Sequence, residues 1–273
     1  MKLPVQNNGY ISFLTFSIFQ GFPLKAAVSC RKGGVSRLPF TSLNMGLHVG
    51  DRVEDVLENR KRYCRALGLD EGLLINCRQV HGTHIEEVSE EDRGRGAFSL
   101  DTAIPDTDGL ITSSPDVPLT MNYADCTPLF FYDPVRKVCA LSHGGWRGTA
   151  GDIAGKTVSL MVERFHSRRE DILGAIGPAI GLMDFEVGKE VIDDMRPLFS
   201  RAEWPSLFRD KGDGKYLFGL AKANHYLMRK AGLLENHIED CHISTWTDND
   251  FFYSYRKEKG KTGRHMAVLM MEP

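Results

Sequence analysis

The sequence predicts an α+β protein, with mixed or antiparallel sheets carrying helices on their outer faces. Three observations lead there. Strand-like apolar runs outnumber helical ones. Several of them follow one another with only a turn between, unlike the regular strand–helix alternation of a doubly wound sheet. No repeat, linker or low-complexity segment divides the 273 residues, so a single domain over 1–273 is expected.

The first strand is expected in YISFLTFSIFQGF (10–22). This run is too short to cross a bilayer, which takes about 20 apolar residues. Only Lys2 precedes it as a basic residue, so it does not read as a signal peptide, and a cytoplasmic protein is expected. A helix follows over 51–69, with Val53, Val56, Leu57, Tyr63, Cys64 and Leu67 on one face and Asp51 placed to cap its start. Strands are expected in LLINCRQV, HIEEV, GLITS, PLTMNY, PLFFYD and KVCALSH. EEDRGRGAFSLD (90–101) reads as a surface insertion. Further helices are expected over 148–165, 185–199 and 217–233, the last stopped near Gly232. ILGAIGP, IEDCHIS, DFFYSYR and RHMAVLMM complete the strands.

Composition excludes some functions. A net charge of −2 gives no bulk attraction to nucleic acid, so any anion site must be local. The cysteines Cys30, Cys64, Cys77, Cys126, Cys139 and Cys241 are scattered without a CxxC pair, unlike a disulfide scaffold. Taken one at a time, each reads as a buried thiol.

One cysteine stands apart by its position. PLFFYDPVRKVCALSH is two apolar runs joined by Asp133-Pro134-Val135-Arg136, favourable turn chemistry. A turn centred between Pro134 and Val135 makes a hairpin that sets Cys126 opposite His143, with Cβ atoms about 5 Å apart. HGGWRG then follows, where Gly144, Gly145 and Gly148 permit close backbone approach, and a helix starting near Gly148 would aim its amides at the same spot. In RQVHGTH, His81 ends an apolar run, while His84 reads as a surface or hydrogen-bonded residue.

His81, Cys126 and His143 together form a His2Cys set. Zinc accepts it, and three protein ligands leave a fourth position open, the pattern of a catalytic site. Copper accepts the same set with a weak axial Met, and Met121 is close in sequence. The chain has no His-x-His pair, which argues against multicopper oxidase chemistry. A cysteine hydrolase with Cys126 as nucleophile and His143 as base fits the same adjacency. His81 discriminates, since a nucleophile does not need it.

Seven blocks are similar to those of the YfiH-type, or laccase-domain, family, in the same order: CRKGGVSRLPFTSLNMG, RQVHG, YADCTPL, SHGGWRGTAG, GAIGPAIG, FEVGKEV and FFYSYRKEKGKTGRHMAVL. The resemblance runs over about residues 24–270. It implies a four-layer αββα fold with two stacked mixed sheets, and zinc held by His81, Cys126 and His143. It also implies a purine nucleoside phosphorylase with adenosine deaminase activity; bacterial members are also called peptidoglycan editing factors, so peptidoglycan precursors are the substrates expected for the alternative Cys126/His143 hydrolase. Its expected partners are purine nucleosides and phosphate, with no nucleic acid or membrane. Within the matching blocks, Arg31, Arg147 and Arg256 are candidates to hold phosphate and Asn44 to bind ribose or orient a ligand. Phe252 and Tyr255 are candidates to stack on the base. Asp125 is the candidate proton carrier for attack of zinc-bound water on purine C6, although strand alternation would turn it away from Cys126.

Overall fold

In a computed structural model, which describes residues 5–273, two six-stranded mixed sheets stack face to face between helices. The α+β expectation and its four layers hold. The strands are β1 (Val5–Asn8), β2 (Ile11–Thr15), β3 (Leu24–Ser29), β4 (Ile75–Asn76), β5 (Ile85–Glu87), β6 (Gly109–Thr112), β7 (Leu119–Tyr123), β8 (Thr127–Asp133), β9 (Val138–Gly144), β10 (Leu173–Ile176), β11 (Glu186–Gly188), β12 (Phe208–Gly212), β13 (Lys215–Phe218), β14 (Ile238–Asp240) and β15 (His265–Met271). The helices are α1 (Val53–Leu67), α2 (Trp146–Ala150), α3 (Ile153–Phe165), α4 (Lys189–Met195), α5 (Trp204–Leu207) and α6 (Leu220–Lys230).

The first sheet runs β1-β2-β3-β15-β7-β4 and the second β14-β10-β8-β9-β6-β5. Strands β11, β13 and β12 form a small separate sheet. The pairs β4–β7, β5–β6 and β10–β14 are parallel and the other ladders antiparallel. Strands β7, β8, β9 and β15 are buried along their whole length, which is why β8, β9 and β15 read as apolar stretches rather than alternating ones.

Three apolar layers account for this. Leu14, Val28, Met121, Phe130 and Leu141 fill the space between the sheets. Phe131, Val158, Met161, Ala223 and Met228 join the second sheet to α3 and α6. Phe13, Tyr63, Cys64, Met266 and Val268 join the first sheet to α1. Each fully buried Leu or Phe contributes about 2 kcal/mol, so burial rather than polar contact holds the layers together. One buried charge stands on α1: the Arg60 guanidinium donates to the carbonyls of Met45, Gly96 and Ala97.

Several expectations need correction. Asp51 does not cap α1; Arg52 holds that position, while Asp51 accepts from Arg52 N and Asn44 Nδ2. Residues 90–101 are not a mere surface insertion, because Gly96 and Ala97 bind Arg60 and Leu100 reaches the main cavity. DFFYSYR is not a strand: Phe251 N and Phe252 N both bond to Asp248 O, a local turn that leaves no ladder. The helix expected over 185–199 opens as β11, and its α-helical part is α4 alone. The segment from 148 to 165 holds two helices broken at Gly151 and Asp152, and the first already starts at Trp146. Strands β1, β3, β12 and β13 had no expected counterpart.

Candidate active site

The hairpin β8–β9 forms, but its register differs from the expected one. Asp133 Oδ1 accepts from Val135 N and Arg136 N, and Lys137 takes a left-handed conformation with φ 54°. The loop is therefore the four residues Pro134–Lys137, closed by the pair Asp133 and Val138. His143 pairs with Pro128 rather than Cys126. Cys126 lies just before β8, where the chain crosses from the first sheet to the second.

His81, Cys126 and His143 nevertheless converge. One potential ligand atom from each lies within 4.8 Å of the others. The two imidazole rings stand edge to face with centroids 4.9 Å apart. Gly145 makes room for them: a Cβ there would sit 3.1 Å from His81 Cδ2 and 3.2 Å from Cys126 Sγ. His143 is buried, Cys126 half-buried and His81 exposed, so the cluster opens on one side.

It opens into a cavity of about 530 Å³, a size suited to a small-molecule ligand. Four arginines, Arg78, Arg147, Arg256 and Arg264, line it against one carboxylate, Asp125. The chain as a whole is slightly acidic, so this is a local concentration of positive charge that the net charge does not reveal.

The electrostatics single out one thiol. Burial alone would raise Cys126, but the neighbouring His143 and His81 outweigh it and bring the thiol down to about 6. Burial likewise disfavours a charged His143, yet the Cys126 thiolate and Asp108 hold it above the usual histidine range. By contrast, burial pushes Cys30, Cys64 and Cys139 up to about 12 and raises Cys77 and Cys241 as well. A thiolate is the reactive form. At pH 7, in protein stripped of metal, iodoacetamide is therefore expected to label Cys126 alone among the six cysteines, at a rate that falls as pH drops through about 6. Peptide mapping by mass checks this, and comparable labelling of a second thiol would contradict it.

The family described as multi-copper polyphenol oxidoreductase laccase matches residues 25–272. The chain belongs to this laccase family. It is 41% identical over 244 residues to purine nucleoside phosphorylase YlmD of Geobacillus stearothermophilus, covering 89% of each chain. It is 35% identical to purine nucleoside phosphorylase YlmD of Bacillus subtilis, covering 90% of this chain and 88% of that one. The crystal structure of YlmD from G. stearothermophilus superposes with a TM-score of 0.94 at 38% identity over all of both chains. That of the Bacillus licheniformis hypothetical protein YfiH superposes with 0.93 at 36% identity, covering 98% of this chain and 99% of that one.

The other candidate residues of this laccase-family chain separate into two groups. Arg147, Tyr255, Arg256 and Asp125 line the cavity. Arg147 is exposed, stacks 4.3 Å above the Trp146 ring and makes no hydrogen bond through its side chain among the described residues. Arg256 donates to Glu186 O and lies over Phe185, and Tyr255 is 52% exposed. Asp125 is not in a strand, so alternation does not turn it away; with φ 85° it accepts from Thr245 Oγ1 and Arg256 N, both at 2.6 Å. Burial raises its carboxyl above the usual range, against those hydrogen bonds.

Arg31, Asn44 and Phe252 do not line the cavity, which corrects the expectation for each. Arg31 is already engaged by Thr41 O, Asn249 O and Glu258 and stacks on Tyr253, leaving no fork free for phosphate. Asn44 is fully buried and bonded to Gly46, Asp51 and Arg264 N. Phe252 is a core residue against His265. Met121 lies in the core between the sheets. His84 bonds to Glu86 at the surface, as expected.

Sequence reasoning missed His48, Arg78 and Arg264 on the cavity wall, and Asp108 behind it. Asp108 accepts from His143 Nδ1 and from the backbone of Val80, His81 and Gly82. Arg264 opens RHMAVLMM, and its place beside the last strand, at the end that reaches the ligands, is the signal that was available.

Proposed function

We propose that the protein is a zinc-dependent purine nucleoside phosphorylase, acting on adenosine, inosine, guanosine and methylthioadenosine, with adenosine deaminase activity at the same site. The observation that carries this is a His2Cys cluster at the floor of an arginine-lined cavity. The names of the relatives support the nucleoside reading.

The residues fit zinc. A tetrahedral zinc with bonds of about 2.0–2.3 Å separates its ligand atoms by about 3.5 Å, and the three donor atoms here all lie within 4.8 Å of one another. The donors are two imidazoles and a thiol whose lowered range supplies the ligating thiolate at neutral pH. Bound there, zinc supplies Lewis acidity at the cavity floor. Among the described residues this is the one cluster of three such donors, which favours a single metal over multicopper chemistry.

The other roles follow from position. Arg147, with free donors, holds the phosphate that attacks the anomeric carbon, and Arg264 and Arg256 add positive charge beside it. Tyr255 offers a ring face to the base. Asp125, raised by burial and facing the cavity, holds a proton for transfer to or from the purine.

The second reading, a cysteine hydrolase, draws on the same lowered thiol beside His143. One assay separates them: protein of measured zinc content, given each nucleoside with and without phosphate, with products read by mass. Free base and ribose 1-phosphate are expected only when phosphate is present, and inosine from adenosine without it. No turnover of any nucleoside by zinc-loaded protein would overturn the proposal.

A further inference from the structure

The contacts of one residue outside the cavity lining carry an inference beyond these roles. We propose that Asp108 is the positioning residue of the metal centre, fixing both histidines through a single carboxylate. This rests on the metal-site part of the reading above, and not on the nucleoside chemistry.

The topology places it there. Strand β6 lies between β9, which carries His143, and β5, which follows the turn carrying His81. Asp108 is the residue just before β6, so it stands between the two histidines. Its backbone already ties both neighbours: Asp108 N donates to His84 O at 3.0 Å, and His143 N donates to Asp108 O at 2.8 Å.

The side chain completes the arrangement. Oδ1 accepts from His143 Nδ1 and from His81 N, each at 3.0 Å. Oδ2 accepts from Gly82 N at 2.7 Å and Val80 N at 3.2 Å. Three successive amides thus wrap one fully buried carboxylate, a concave anion-binding arrangement. His81 itself has φ 62°, a left-handed conformation that costs a non-glycine residue about 1 kcal/mol. The carboxylate offsets that cost by accepting from the strained residue and both its neighbours.

Two consequences follow. A carboxylate only accepts, so the His143 proton must sit on Nδ1, which leaves Nε2 as the nitrogen able to ligate. The same carboxylate holds the His81 turn, so ring tautomer and turn geometry depend on one group. Asparagine cannot replace it. Its single oxygen can serve His143 and His81, or Val80 and Gly82, but not both. The opposite edge then turns N–H toward N–H, or donates to His143 Nδ1 and forces the ring proton onto Nε2.

The test uses the full chain, with zinc alone as probe. Zinc affinity is measured by competition with a chromophoric chelator for wild type and Asp108→Asn. The variant is expected to bind about 10–100-fold more weakly, the usual cost of removing such a partner. Long-range ¹H–¹⁵N spectra of the zinc-loaded wild type are expected to show the His143 proton on Nδ1, a signature that a merely structural role would not dictate. Wild-type affinity in a folded Asp108→Asn protein would overturn the proposal while leaving the zinc reading intact. So would a wild-type His143 protonated on Nε2, which decides the matter even if the variant does not fold. Failure of the wild type to take up about one zinc would overturn the metal reading itself, and this inference with it.

Discussion

Cys126→Ala, His81→Ala and His143→Ala are each expected to lose bound zinc and nucleoside turnover together, with kcat falling about 10³-fold or more. The expectation follows from the geometry of the cluster. Three donors within 4.8 Å of one another leave no spare ligand, so removing one leaves two where a catalytic zinc uses three. The fall in rate is of the size seen when a group that stabilises charge in the transition state is removed. Metal content by elemental analysis, and turnover on the same samples, check it. His81→Ala is the most informative of the three. A hydrolase built on Cys126 and His143 would keep its turnover without His81, and would take up no stoichiometric metal. Full zinc occupancy in any of the variants would remove that residue from the ligand set.

Arg147→Ala is expected to raise KM for phosphate about tenfold or more while leaving KM for the nucleoside within about twofold. A hydrogen bond to a charged group contributes about 1.5–3 kcal/mol, which sets this scale. Arg147 is singled out because its side chain has no hydrogen-bond partner among the described residues, and its stacking on Trp146 holds the guanidinium at the cavity wall. Arg256, which already donates to Glu186 O, has fewer donors to offer. Initial rates with phosphate and nucleoside varied separately measure the two constants. Equal effects on both would mean that Arg147 does not hold phosphate.

How much of this was legible in the sequence depended on where each signal lay. The sheets were legible because β8, β9 and β15 are built around the apolar stretches LFFY, VCAL and MAVLMM. The strands without expected counterparts are different. β12 is largely exposed, and β1 is four residues long. The convergence of Cys126 and His143 was legible from the hairpin even though its register was not. A left-handed Lys137 lengthens the loop, and nothing in Asp-Pro-Val-Arg announces that.

Asp108 was hidden for another reason. It follows Pro105, Asp106 and Thr107 and precedes Gly109, so it reads as an ordinary turn acid. Only the tertiary ladder shows which backbone amides surround it. Arg31 and Asn44 failed in the opposite sense. Their types suited phosphate and ribose, but Arg31 faces Thr41, Asn249 and Glu258, and Asn44 faces Gly46 and Asp51, partners that no local pattern shows.

The crossing of the chain between the two sheets has a consequence for assembly. Cys126 sits where the chain leaves β7 for β8, and His81 where it leaves β4 for β5. Two of the three donors therefore belong to stitches between the sheets rather than to either sheet. A chain with one sheet formed presents no complete set, so the cluster is finished only when both are docked. Metal taken up there binds the finished fold and not its halves, and by mass action it stabilises the closed sandwich against separation of the two sheets.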